Sequence, residues 1–275
     1  MGIVTAWHLP GEVDKGDIKA ELLKMLAPFG GIGVFITAGD HVFLKPDVSV
    51  PALAEEGLVT DPLLVEAVID LAFETGAASV TVGESADIGF DTINNFCLNG
   101  YDYFCQRSGA QLRDLKEGTT CLRDIPNALL IDYIKVYKQV LLADVVINLP
   151  KLKIIENRVL CGATRNLLGF VPDDEKARLK SSFLDRALFD LSTLITPDLT
   201  ILDGININDS GREKRLNMLL VGMDMVAIDT IATAIMGLDP QQIEYLQLAE
   251  QYGLASAQPL NITIYGDDLS PLMKK

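Results

Sequence analysis

The chain has 275 residues and carries 38 aspartates and glutamates against 23 lysines and arginines, a formal net charge of −15 at pH 7. A chain so acidic offers no broad cationic face to nucleic acid or to an anionic lipid surface, which argues against both as partners; a small anion answers to local charge and stays open as a ligand. With 49% hydrophobic and 22% charged residues the balance is that of a globular protein that folds without a disulfide or metal staple.

Asp17 to Ala27 reads as a short helix ended by Pro28 and the Gly30-Gly31 pair. A buried strand follows at Val42 to Leu44 and runs into Lys45-Pro46-Asp47. Thr60-Asp61-Pro62 marks a helix start, with a capping hydroxyl and proline in the first turn. Leu64, Val68, Leu71 and Ala72 give that helix an apolar stripe, and Gly76 closes it. The next strand, Val80 to Val82, runs into Gly83-Glu84-Ser85. Strand, helix and strand in this order imply parallel neighbours joined by a right-handed crossover.

Residues 86–140 are less regular. Thr92 to Gln106 reads as helical and is crowded with aromatics, and Ile134 to Val140 alternates like a strand. Two placements are open for this stretch: an inserted α+β subdomain, or a cap over the strand ends. Regularity returns with strand Val145 to Ile147, which runs into Asn148-Leu149-Pro150-Lys151, and a helix from about Asn157 to Leu168. Asp173 to Leu194 reads as one long amphipathic helix. Strands at Pro197 to Asp203 and Leu216 to Val221 follow. After them come a helix from Met225 to Met236 capped by Asp224, a helix from Gln241 to Tyr252 and a last strand, Asn261 to Tyr265. The expected architecture is a single α/β domain, a mostly parallel sheet with helices on both faces.

In open α/β sheets the carboxyl ends of the parallel strands share one rim, and ligands bind outside it. Lys45, Glu84, Lys151 and Asp203 all stand at such ends, so they are expected to converge. Lys45, Glu84 and Asp203 are the candidate catalytic residues. Lys151 and Lys153, two residues apart in extended chain, point the same way. With Arg165, Asn166 and Asn148 they form the candidate ligand-binding set, a local positive field suited to a carboxylate or phosphate. Lys45 also suits a structural bridge to Glu84 or Asp203. Asp229, on a helix apolar all round, must be paired or neutral. Two readings are open for it: a bridge to Lys45 or Arg165, or a proton carrier of raised pKa.

Cys97, Cys105, Cys121 and Cys161 form no CxxC pair and no zinc-finger spacing. Separate reduced thiols are the first reading, and a four-thiolate iron–sulfur cluster the second. There is no GxGxxG, Walker lysine loop or GxSxG elbow, and His8 and His41 alone do not make a histidine-rich metal site or a catalytic triad. No run approaches the roughly 20 apolar residues of a membrane span, and the N-terminus lacks a signal-peptide pattern. A cytoplasmic location is expected.

Taken in order, several segments resemble the domain of unknown function 362 family. They are Lys45-Pro46-Asp47, Thr60-Asp61-Pro62, Gly83-Glu84-Ser85, the NLPKLK run Asn148 to Lys153, Arg165 to Gly169, and the PDLTILDG run Pro197 to Gly204. Gly222-Met223-Asp224, Ala227-Ile228-Asp229 and Met236 to Pro240 complete the set. The resemblance implies a cytoplasmic prokaryotic protein often fused to, or encoded near, ferredoxin-type iron–sulfur modules, and no settled reaction. The chain departs from the family pattern at Asp47, where Asn is usual, and at Arg165, where Lys is usual. It also departs at Ile154-Ile155, where Thr-His is common. The functional expectation is an enzyme for a small anionic substrate. The alternatives are a redox accessory protein with an iron–sulfur cluster or divalent metal and a ferredoxin-type partner, or a ligand-binding protein without catalysis.

Overall fold

The apolar runs around Val42, Val80 and Val145 lie side by side as parallel strands in the computed structural model, which describes residues 2–9, 11–155, 159–180 and 183–273. The chain opens with β1 (Ile3–His8) and α1 (Lys15–Leu26), whose first turn is closed by a reciprocal Asp14–Asp17 capping box. Next come β2 (His41–Pro46), α2 (Pro62–Thr75) and β3 (Ser79–Glu84). Asp61, not Thr60, caps α2, accepting the Leu63 N–H; the Thr60 hydroxyl instead donates to Leu149 O at 2.7 Å and accepts the Asp47 N–H at 2.8 Å. Thr60 thus ties the end of β2 to the strand beyond it.

Residues 92–114 continue the same alternation. Helices α3 (Thr92–Leu98) and α4 (Tyr101–Ser108) lead to β4 (Gln111–Asp114), which pairs parallel to β3 at the sheet edge. The single helix expected over Thr92 to Gln106 is broken at Asn99 and Gly100, where Gly100 takes a left-handed φ of 71°. β5 (Thr120–Asp124) and β6 (Tyr133–Tyr137) form a separate antiparallel pair, and the short α5 (Lys138–Leu141) ends the strand that was expected to reach Val140. The loop joining β5 to β6 is held by Asp190, whose carboxylate accepts the N–H groups of Leu129, Leu130 and Ile131 at 2.8–2.9 Å.

The second half begins with β7 (Val145–Leu149), then β8 (Lys151–Ile155) and β9 (Val159–Cys161), an antiparallel pair. The helix expected from Asn157 to Leu168 is therefore corrected: strand β9 and a 3-10 turn over Arg165–Phe170 stand there, and residues 157 and 158 lie outside the described residues. Val159 and Leu160 alternate as strand residues across from β8, a pattern that helical spacing had mimicked. The long helix expected from Asp173 to Leu194 is two helices, α6 (Asp173–Lys180) and α7 (Leu184–Leu194), with residues 181 and 182 outside the described set. Phe183, at a left-handed φ of 42°, stands before the second. Long strands β10 (Leu199–Asp209) and β11 (Arg212–Gly222) follow, then α8 (Met225–Ile235), α9 (Glu244–Gln251) and β12 (Thr263–Gly266).

Among the described residues the sheet runs β12-β1-β11-β10-β7-β2-β3-β4, with β8 attached to β10 and β9 to β8. Pairing is parallel except for β1–β11, β10–β11 and β8–β9. Successive side chains of β2 face opposite cores: Val42 and Leu44 pack with α1, α2 and the aromatics Phe96, Tyr101 and Phe104, whereas Phe43 packs with α7, α8 and α9. Helices therefore cover both faces, and the polar residues at the strand ends have no escape sideways into solvent.

Candidate functional site

Lys45, the residue before the last of β2, is fully buried. Its ammonium donates to Glu84 Oε2 at 2.6 Å, Pro46 O at 2.7 Å and Asn166 Oδ1 at 3.0 Å, so all three N–H groups are used. Glu84, at the end of β3, also accepts the N–H groups of Val48 at 3.2 Å and Ser85 at 2.7 Å. Burial pushes the Glu84 carboxyl above its ordinary pKa, and the attraction of Lys45 and Lys176 only partly opposes it. Asn166 extends the network: its amide donates to Lys45 O at 3.1 Å and to Asn148 Oδ1 at 2.8 Å, and Asn148 donates to Ala163 O at 3.0 Å. Four of the expected residues, from three strand ends and one 3-10 turn, thus share one hydrogen-bonded chain.

Lys151 and Asp203 make a second buried pair at 2.8 Å, held by the cross-strand register of β8 and β10. Asp203 also accepts the N–H groups of Asp61 at 2.7 Å and Ile205 at 2.8 Å. Asp61 suffers from this neighbourhood: burial, then the Asp203 charge, push its carboxyl up to about 6. Lys153 takes a third route, to Asp47 at 2.8 Å and Leu58 O at 2.6 Å. Burial alone would raise Asp47 and lower Lys153; their mutual attraction outweighs it, so Asp47 sits below the carboxylate range and Lys153 above the usual lysine value.

A cavity of about 300 Å³ opens at this rim. Glu84, Lys153, Arg165 and Asn166 line it, together with Asp47 and Cys161; Lys45 and Asn148 are bonded to the lining residue Asn166 without lining the cavity themselves, and Lys151 and Asp203 are not part of the lining. Arg165 is half-buried, and among the described residues its guanidinium makes no hydrogen bond or ion pair. It acts through space, pulling down the Cys161 thiol against the burial that raises it.

Asp229 is completely buried but bridges to neither Lys45 nor Arg165, contrary to one of the two expectations for it. It accepts the N–H groups of Ala163 at 2.6 Å and Thr164 at 2.9 Å and the Tyr245 hydroxyl at 3.0 Å. Burial keeps its pKa raised, with those donors opposing. A Cβ on Gly162 would overlap Asp229 Oδ1, so only glycine lets the turn close on this carboxylate. The turn so anchored carries Arg165 and Asn166.

Several residues of the site were not foreseen. Lys176 of α6 is buried and donates to Ser85 O at 2.5 Å, Ser85 Oγ at 2.7 Å and Ala86 O at 2.7 Å, clamping the chain just after Glu84. Burial lowers its pKa to about 8. Lys180, one turn on, reaches the cavity and pairs with Asp87 at 2.9 Å. Both lie in the run Asp173 to Lys180, whose charge density in sequence signals a solvated face. No group of three His, Cys, Asp or Glu side chains with metal-binding geometry occurs among the described residues, and the four cysteines are separate free thiols.

A family model described as a domain of unknown function (DUF362) matches residues 42–234. The chain belongs to this family. The matched span of this DUF362 chain contains every residue of the networks above except Tyr245. The thylakoid-associated protein sll1697 of Synechocystis sp. (strain ATCC 27184 / PCC 6803 / Kazusa) is 30% identical over 254 residues, covering 88% of this chain and 77% of that protein. Among solved structures, the lactate racemase apoprotein from Thermoanaerobacterium thermosaccharolyticum aligns at 12% identity and a TM-score of 0.48. The alignment covers 83% of the DUF362 chain and 56% of that protein, a distance at which nothing about activity transfers. No helix among the described residues is long and apolar enough to cross a membrane.

Proposed function

We propose that the chain is an enzyme that binds a small carboxylate or phosphate in the cavity at the strand ends. Arg165 carries this reading: a guanidinium that lines the cavity and has no partner among the described residues is a docking group for a planar anion. Glu84 faces the same space with a raised pKa, which suits a group that holds or releases a proton beside a bound ligand. Lys45 acts through Glu84 and Asn148 through Asn166, while the Lys151–Asp203 pair fixes the Asp61 backbone outside the lining. Lys153 and Asn166 complete the polar lining.

The test is anion-induced thermal stabilisation of the intact protein, since a ligand that binds the native state raises its apparent stability. Organic acids and phosphate should raise the melting temperature of the wild type, and Arg165→Ala should abolish the rise while leaving the unliganded melting temperature within a few degrees. Stabilisation that survives Arg165→Ala overturns the reading.

A second reading is a binding protein without turnover. It is favoured by the closure of the Lys45 ammonium, whose three N–H groups are all taken by Glu84, Asn166 and Pro46, leaving none for a ligand. Stabilisation by an anion with no conversion of any stabilising compound would support it over catalysis. A ferredoxin-type partner belongs to these proposals too, with any iron–sulfur cluster carried by that partner. So does the cytoplasmic location, to be checked by cell fractionation, because the relative from Synechocystis is by its name associated with thylakoids.

A further inference from the structure

The charges around the cavity cancel in pairs, and that narrows the ligand. Lys153 is matched by Asp47 at 2.8 Å, Lys180 by Asp87 at 2.9 Å, and Glu84 by Lys45 at 2.6 Å. Glu56, also on the lining, has Oε1 occupied by the Leu53 N–H at 2.7 Å. Of the three cations on the lining, Arg165 is then the one left open among the described residues, and it faces a rim that also holds four carboxylates. A ligand with one negative charge meets one guanidinium. A second charge would have to sit among Asp47, Glu84 and Asp87 with no free cation to receive it, at several-fold loss of affinity.

The remaining wall is apolar. Val50, Pro51, Ala52 and Leu58, from the chain between β2 and α2, and Ile155 and Leu168 from the other side, line the same space. At about 300 Å³ the cavity is at the small end of the roughly 300–1,000 Å³ of small-molecule sites. Nucleotides, with two or more charges and a larger body, fit neither the charge nor the volume.

We infer that the cavity takes a compact organic acid with a single negative charge and an apolar tail, a monocarboxylate rather than a phosphate or a dicarboxylate. The inference rests on the proposed role of Arg165 and adds the class of ligand. The carboxylate lies on the guanidinium, and the tail lies on Val50, Ala52 and Leu58 in place of water.

Calorimetric titration of the intact protein with acetate, hexanoate, succinate and inorganic phosphate tests it. Hexanoate should bind at least about tenfold more tightly than acetate or succinate, the gain expected from roughly two buried methylenes. Val50→Ser should shrink that preference, and Arg165→Ala, checked for a native circular-dichroism spectrum, should remove binding of every probe. If succinate or phosphate binds as tightly as hexanoate and still requires Arg165, the ligand class is wrong while the anion site stands. Hexanoate binding that ignores Arg165→Ala, or no binding of any probe up to millimolar concentration, overturns both.

Discussion

Gly169 presses so closely on Glu84 that a Cβ at residue 169 would overlap Glu84 Oε1 and Lys45 Cε and lie 2.6 Å from Lys45 Nζ. Its missing side chain is what allows the 3-10 turn of Arg165 to seal the ion pair from above. Gly169→Ala must therefore push two buried charges apart, and separating such a pair costs roughly 3–5 kcal/mol. Urea unfolding should show a loss of at least about 3 kcal/mol, against less than about 1 kcal/mol for Gly33→Ala, where a Cβ meets nothing within 4 Å. Equal effects at the two positions would remove the steric argument.

Asp61 carries a measurable penalty. Its carboxyl is raised from 3.8 to about 6 in the folded chain by burial and by Asp203. The folded state therefore holds that proton more tightly than the unfolded state, and this contribution to stability is full below about pH 4 and lost as pH rises through 6. Asn caps helices as well as Asp does, so Asp61→Asn keeps the Leu63 N–H satisfied and removes only the charge. The variant should be more stable than the wild type by about 2–3 kcal/mol at pH 7.5 and by only about 1 kcal/mol at pH 4.5. Denaturant curves at the two pH values check both the sign and the trend.

The strand ends were legible in sequence because buried parallel strands are runs of Val, Ile and Leu, and a charged residue closing such a run has few places to go. Lys45 and Glu84 do close β2 and β3, and the caps at Asp224 and Gly76 were legible too; Lys151 instead opens β8 and Asp203 lies inside β10, which runs on to Asp209, so the four residues form two separate ion pairs and not one cluster. The partners of Asp229 were not legible, because backbone N–H groups look the same at every residue. Lys176 was hidden for the opposite reason: within Asp173 to Lys180 it looks like one more solvated charge, and only the tertiary position of α6 buries it. Strand β9 was missed because it is three residues long and Val159, Leu160, Ala163 and Leu167 follow helical spacing. Strand β1 is short and half-exposed at both ends, so its periodicity was too weak to read.

The Lys45–Glu84 pair itself invites a double-mutant cycle. Lys45→Met leaves a buried carboxylate without its cation, and Glu84→Leu leaves a buried ammonium; each should cost about 3–5 kcal/mol. With both replaced, the apolar pair packs near Phe170, whose ring lies 5.8 Å from Lys45 Nζ. The double variant should cost at least about 2 kcal/mol less than the sum of the single ones. Strict additivity would mean that the two side chains do not neutralise each other in the folded chain.

Lys176 should titrate where few lysines do. Its ammonium feeds three oxygens of Ser85 and Ala86, yet burial lowers its pKa from 10.5 to about 8. Between those values the unfolded chain binds the proton more tightly than the folded one, so this residue's contribution to stability rises with pH across that window. Lys176→Met removes the titration and leaves the other lysines in place, so the wild-type-minus-variant difference isolates it. That difference should grow by about 2 kcal/mol in favour of the wild type from pH 8 to pH 10. Loss of the proton also removes one of three donors from the segment that follows Glu84, so ligand affinity should change through the same midpoint. A lysine side-chain NMR signal titrating near 8, absent from the variant, would assign the midpoint to this residue; a midpoint above 10 would show that α6 does not bury it.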